Sequence, residues 1–205
     1  MDGSICARVF NLVVSLVVDA LRHFGGRGCS CLYGIEDARG IVLVTCEHKK
    51  EFKAKLEALD CIFHLDPDAV GIITRYPGLV LIMSAKLSSR DMFLALKDCE
   101  MAYVKRVIPL ERFLIARDLQ DICRLVDELV KPHVSSVKSF KVVCSKRGSF
   151  FKSAHEIEVL LGSYISRSFG LCIDLKSPEL LVDVEVVDNL VGVTVFPQEV
   201  LRKSS

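Results

Sequence analysis

Hydrophobic and polar positions change period repeatedly along this chain, and each change marks an element. Ile41 to Cys46 is a continuous apolar run bounded by Gly40 and Glu47, the pattern of a central strand. Helical spacing follows over Lys49 to Leu59, with Phe52, Leu56 and Leu59 on one face. Val70 to Arg75 and Leu79 to Ser84 are strand-like, and Tyr76-Pro77-Gly78 between them signals a turn. Ser88 can cap a helix that runs to Lys97, with Asp91 in the capping-box position, and Ala102 to Leu110 is strand-like again. The order β-α-β-β-α-β predicts a ferredoxin-like arrangement. No chemical motif interrupts it, so its expected role is architectural.

A second series begins at Asp118. Asp118 to Lys131 places Leu119, Ile122, Cys123, Val126, Leu129 and Val130 on one helical face, and Pro132 ends the helix. Val137 to Cys144 reads as a strand that breaks at Ser145-Lys146-Arg147-Gly148. Ser153-Ala154-His155-Glu156 is a capping box opening a helix whose expected buried stripe is Ile157, Leu160, Leu161, Tyr164, Ile165 and Phe169. Gly170 suits a left-handed helix end. Leu171 to Leu175 is strand-like. Leu180 to Val187 alternates Val182, Val184 and Val186 against Asp183 and Glu185, and Asp188-Asn189 turns the chain into Leu190 to Phe196. Asp183, Glu185 and Asp188 are expected on a solvated face.

The N-terminal run Val9 to Leu21 is strongly apolar, but Arg8, Asn11, Ser15, Asp19 and Arg22 form one polar stripe on a helix. It is too short and interrupted to span a membrane, and it lacks the flanks of a secretory signal. The expectation is a soluble helix buried on most sides, offering a surface for homo-oligomers, with Gly25-Gly26-Arg27-Gly28 as a flexible joint. Nine cysteines contain no C-x-x-C spacing, which predicts buried free thiols; Cys29-Ser30-Cys31 is the local candidate for metal or redox chemistry. The apolar fraction of 51% and charged fraction of 26% are those of a globular protein.

Net charge is +1, so no whole-chain field steers nucleic acid and any such binding must come from a local patch. One exists. Lys131, Lys138, Lys141, Lys146, Arg147 and Lys152 lie in a stretch with no acid between Glu128 and Glu156. A strand, a basic glycine turn and a helix N-terminus together suit a phosphate. Lys146 and Arg147 are the expected phosphate contacts. Gly148 lets backbone approach, Lys141 and Lys152 flank the corner, and the Ser153 cap leaves part of the helix end open. His155 and Arg167 are weaker candidates. Arg75, Lys105 and Arg106 are further surface cations. Phe150 and Phe151 could stack on bases, with core packing expected for at least one. No H-x-x-x-H, H-E-x-x-H, G-x-S-x-G, Walker A or dinucleotide fingerprint occurs, so no catalytic residue, metal or cofactor is expected.

Phe140-Lys141-Val142, Ser145-Lys146-Arg147-Gly148, Ser153, Glu156-Ile157, Gly162, Asp174-Leu175-Lys176-Ser177-Pro178 and the Val182-Asp183-Val184-Glu185-Val186 hairpin closely resemble the THUMP domain, over roughly residues 115 to 196. The resemblance implies an RNA-binding module of tRNA-modifying enzymes which, with a ferredoxin-like domain, recognises the acceptor stem and 3′ CCA end. Only nine residues follow Phe196, so no catalytic domain is expected there. Gly40 to Cys46 and Val104 to Pro109 are similar to segments of small stand-alone THUMP proteins of archaea and eukaryotes. Those serve as adapters for the tRNA cytidine acetyltransferase that makes N4-acetylcytidine. Two features depart from the family: the first 35 or so residues have no counterpart, and Val143 and Cys144 stand where many THUMP domains carry an arginine.

The resulting expectation is an α+β protein: a helical extension over 1–35, a ferredoxin-like domain over 36–114 and a THUMP domain over 115–205. It would be a cytoplasmic, non-catalytic tRNA adapter for the acetyltransferase, with no membrane partner. The alternatives are an RNA-binding subunit of a tRNA methylation or thiolation system, a ferredoxin-like sensor of a small anion or metabolite, and a metal enzyme built on Cys29 and Cys31.

Overall fold

The structure, a computed structural model, describes residues 35–197. The expected N-terminal helix and joint, with Cys29 and Cys31, lie outside the described residues. The chain divides into two compact units, the first holding residues up to 87 and 91–108, the second 88–90 and 109 onward.

In the first unit, β1 (Gly40–Cys46), α1 (Glu51–Ile62), β2 (Val70–Ile73), β3 (Leu79–Ser84), α2 (Ser89–Lys97) and β4 (Val104–Leu110) follow in that order. The sheet order is β2-β3-β1-β4. β1 and β3 are antiparallel from Gly40↔Ser84 to Thr45↔Leu79. Their apolar runs are buried throughout Ile41–Val44 and Leu79–Met83, and Val42, Val44, Val80 and Ile82 share one core with α1 and α2. The helix α1 departs from the face suggested by its largest side chains. It meets the sheet through Ala54, Ala58 and Ile62, while Phe52 and Leu56 point to solvent and Leu59 is half-buried. The two alanines let the helix lie close to the strands, where bulkier residues would hold it away.

The expectation that every cysteine is a free thiol fails here. Cys61, near the end of α1, is bonded to Cys99, just after α2. The free cysteines among the described residues are Cys46, Cys123, Cys144 and Cys172. Burial pushes the Cys144 thiol up to about 12, helped by the Glu158 carboxylate, which leaves it chemically inert.

The second unit contains β5 (Arg112–Ile115), α3 (Leu119–Val130), β6 (Ser139–Arg147), α4 (Ala154–Phe169), β7 (Cys172–Ile173), β8 (Leu180–Val187) and β9 (Leu190–Pro197). Its mixed sheet runs β5-β9-β8-β6-β7. β6 lies parallel to β8 and β8 antiparallel to β9, closed by a hairpin in which Asp188 takes φ 56°. Asp118 caps α3 by accepting from the Gln120 and Asp121 N–H groups. Ile122, Leu125, Val126 and Val130 of α3 join Ile157, Leu161 and Ile165 of α4 over Phe140, Val142, Val182 and Val184 in one core. The Tyr164 hydroxyl donates to the Asp127 carboxylate at 2.7–2.8 Å, tying α4 to α3. Leu160, expected in the buried stripe, is exposed. The strand β5, too short to show a sequence period, pairs with β9.

Candidate nucleic-acid interface

The strand β6 does not stop at the basic residues. It continues three positions past Cys144, with Ser145, Lys146 and Arg147 opposite Glu185, Val186 and Val187 of β8. A backbone ladder needs no apolar side chains, so pairing with β8 carries the strand through the charged positions. Because side chains alternate along a strand, Lys146 and Arg147 point to opposite faces and do not form one turn-borne pair.

Each has its own partner. The Lys146 ammonium turns back and donates to the Gly148 carbonyl. The Arg147 guanidinium, 30% exposed, donates to Glu185 at 3.2 Å, and that carboxylate is only 3% exposed. Glu185, expected on a solvated face, is instead the buried counter-ion of Arg147. Burial holds its carboxyl above the usual glutamate range, Asp183 adds to the rise, and Arg147 and Ser145 oppose it. Strict alternation in β8 is the available signal, since it places Glu185 opposite Val184 and Val186, but only the register with β6 brings it to Arg147.

Gly148, at φ 95°, ends the strand in a conformation that side-chain-bearing residues rarely adopt. The chain reaches α4 five residues later, where the Ser153 hydroxyl accepts from the Glu156 N–H at 3.0 Å. This satisfies one amide of the first turn and leaves the others directed out of the helix end. Lys152 beside it is exposed, Lys141 is half-buried, and neither forms an ion pair among the described residues. His155 is 85% exposed, with its Nδ1 3.7 Å from Glu158. Glu158 joins this corner without any signal in the sequence. Its other oxygen accepts from the Cys144 N–H at 2.9 Å, covering the edge that β6 leaves open beyond its short pairing with β7.

Phe150 and Phe151 meet edge-to-face at 4.8 Å. Phe151 packs against the core and Phe150 is exposed, so one ring is structural and the other faces solvent beside the helix end. Arg167 does not join the corner. It sits in the last turn of α4, about 20 Å along the helix from Ser153 at 1.5 Å per residue. The corner therefore gathers Lys146, Gly148, Lys152, Ser153, His155 and Phe150, with Arg147 engaged internally, whereas Lys141 lies six positions before Arg147, about 20 Å along β6, on the sheet face opposite α4. In the first unit, Lys105 pairs with Glu47 at 3.0 Å and Arg75 donates to the Tyr76 hydroxyl. Among the described residues no group of His, Cys, Asp and Glu could hold a metal, and no helix is long and apolar enough to cross a membrane.

Residues 116–195 match the family model of the THUMP domain. An uncharacterized protein of Methanocaldococcus jannaschii is 28% identical over 128 residues, covering 62% of this chain and 33% of that protein. The chain thus spans about a third of that relative's length. Among solved structures, a Pyrococcus horikoshii protein superposes with a TM-score of 0.63 at 14% identity, over 77% of this chain and 54% of its own. TrmN from Thermus thermophilus gives 0.52 at 22%, over 76% of this chain and 45% of its own. A 4-thiouridine synthetase, solved with RNA and bound ATP, gives 0.52 at 20%, over 77% and 42%. At these identities the likeness is one of fold.

Proposed function

Because residues 116–195 form a THUMP domain, we propose that this chain binds tRNA and carries out no chemistry itself, presenting the tRNA to a tRNA cytidine acetyltransferase for N4-acetylcytidine formation. The observation that carries the reading is the corner between β6 and α4, where the open helix end, Lys152 and the exposed Phe150 ring follow one another within a few residues. Backbone N–H groups and a lysine there suit the phosphates of a stacked acceptor end, and a solvent-facing ring suits an unstacked base such as those of the 3′ CCA.

Within this reading the roles differ from those the sequence suggests. Lys152 meets phosphate, with His155 at the margin, and Lys141 lies apart from them along β6. Lys146 fixes the turn at Gly148, and Arg147 compensates Glu185. The first unit is read as ferredoxin-like; its β-α-β-β-α-β order and β2-β3-β1-β4 sheet support that. It would set the distance from the RNA to the partner enzyme, in the cytoplasm. The fold-level likeness to a 4-thiouridine synthetase bound to RNA favours one second reading, an RNA-binding part of a thiolation system.

The test replaces Lys152 by alanine. The fold should be retained and tRNA affinity should fall. The dependence of log affinity on log salt should drop by about 0.7–0.9 for each phosphate that a lysine no longer neutralises. An unchanged salt slope would place the RNA on another face. Adding the protein to purified acetyltransferase and tRNA then separates the readings: stimulated acetylation supports the adapter, and binding without stimulation supports the thiolation alternative.

A further inference from the structure

An open groove of about 230 Å³ lies between α2 and β4 in the first unit. Its floor is apolar: Leu96 is fully buried, and Phe93, Met101, Val104 and Val107 are half-buried. Its rim is cationic. Lys97, Lys105 and Arg106 line it and are exposed, and no carboxylate among the described residues does so. Asp98 and Glu100, the acids nearest Lys97 in sequence, are exposed and lie outside the lining. Lys105 is paired with Glu47 at 3.0 Å, whereas Lys97 and Arg106 form no ion pair among the described residues.

The groove follows a sheet edge. β4 is the last strand in the order β2-β3-β1-β4, so among the described residues one row of its N–H and C=O groups faces no neighbouring strand. An edge strand beside a helix, with side-chain pockets between them, is an arrangement that accepts an extended peptide as an added strand.

Size and charge narrow the occupant. The volume falls below the range of about 300–1,000 Å³ usual for small-molecule sites. A helix would leave the β4 edge unpaired, because its own backbone groups are bonded internally. RNA phosphates accept hydrogen bonds but donate none, and they gain nothing from an apolar floor. A second copy of β4 would bring the same lysine and arginine against Lys105 and Arg106, and like charges across a strand pair repel. An extended segment carrying carboxylates among apolar residues meets every requirement. Its backbone pairs with β4, its apolar side chains enter the floor, and its carboxylates reach Lys97 and Arg106.

We propose that this edge of the first unit is a docking groove for an extended acidic segment of a partner protein, which adds a strand beside β4. The groove lies outside the basic corner and does not depend on the RNA-binding reading.

The test uses the full chain and a capped peptide of alternating aspartate and valine, matched to the seven residues of β4. Binding should be saturable, and at saturation the β4 amides should exchange about tenfold more slowly while those of β6 are unchanged. The lysine-valine counterpart should not bind. Methylating the peptide's backbone nitrogens should abolish binding, because strand addition needs them as donors. Lys97→Glu/Arg106→Glu should weaken binding about tenfold, as two exposed ion pairs become repulsions. Lys97→Ala/Arg106→Ala, read in the same direction, serves if the reversal lowers Tm. Absence of saturable binding would overturn the proposal, as would an affinity indifferent to the charge changes or to methylation. An oligouridylate that protects the β4 amides in place of the peptide would overturn it too, assigning the groove to RNA.

Discussion

Arg147 and Lys146 are neighbours in sequence, yet strand alternation sends one to Glu185 and the other to Gly148. For Arg147 the consequence is thermodynamic. Arg147→Ala leaves a carboxylate buried without its counter-ion, a cost of about 3–5 kcal/mol for fully buried pairs. Because Arg147 is 30% exposed, water screens part of it and a loss of about 1–3 kcal/mol is expected in urea denaturation. Adding Glu185→Gln should recover most of that loss, as a double-mutant cycle would show. Glu185 also sets a pH dependence. Its folded value is raised by burial, so the folded state binds that proton more tightly than the unfolded chain. Its contribution to stability then falls as pH rises from the ordinary glutamate range through the raised value. The stability of wild type relative to Glu185→Gln should decline across that window. A relative stability that increased with pH would contradict this assignment. The two phenylalanines separate similarly: Phe150→Ala should weaken tRNA binding by about 1–3 kcal/mol with little change in Tm. Phe151→Ala should lower Tm, because that ring packs on the core.

At the scale of elements, what is legible in the sequence follows local pattern, and what it conceals depends on partners. The Ser153 cap, the left-handed Gly170 at φ 69° and the β8-β9 hairpin each carry their signal within a few residues and occur where expected. The face of α1 is misleading because Ala54 and Ala58 are weak apolar markers beside Phe52 and Leu56, although close packing favours the small residues. The end of β6 and the burial of Glu185 are set by the register with β8, which no single segment encodes. The same holds for Cys61–Cys99, whose partners are 38 positions apart without a spacing motif. A disulfide closing a loop of that length restricts the unfolded chain, and removing it with Cys61→Ser/Cys99→Ser should cost about 2–4 kcal/mol. Thermal denaturation with and without reductant checks this: reductant should lower the Tm of wild type and leave the variant unchanged.

For the whole molecule, a net charge of +1 means that affinity for RNA has to be local and orientation-specific rather than a general attraction to polyanions. The basic corner between β6 and α4 meets that requirement, and specificity would come from the shape and unstacked bases of an RNA end. The most direct measurement is a binding titration with intact tRNA, the same tRNA lacking its 3′ CCA, and an unrelated RNA duplex, at one fixed salt concentration. The account predicts a clear preference for the intact tRNA, lost when the CCA is removed. Equal, weak binding to all three RNAs would contradict it.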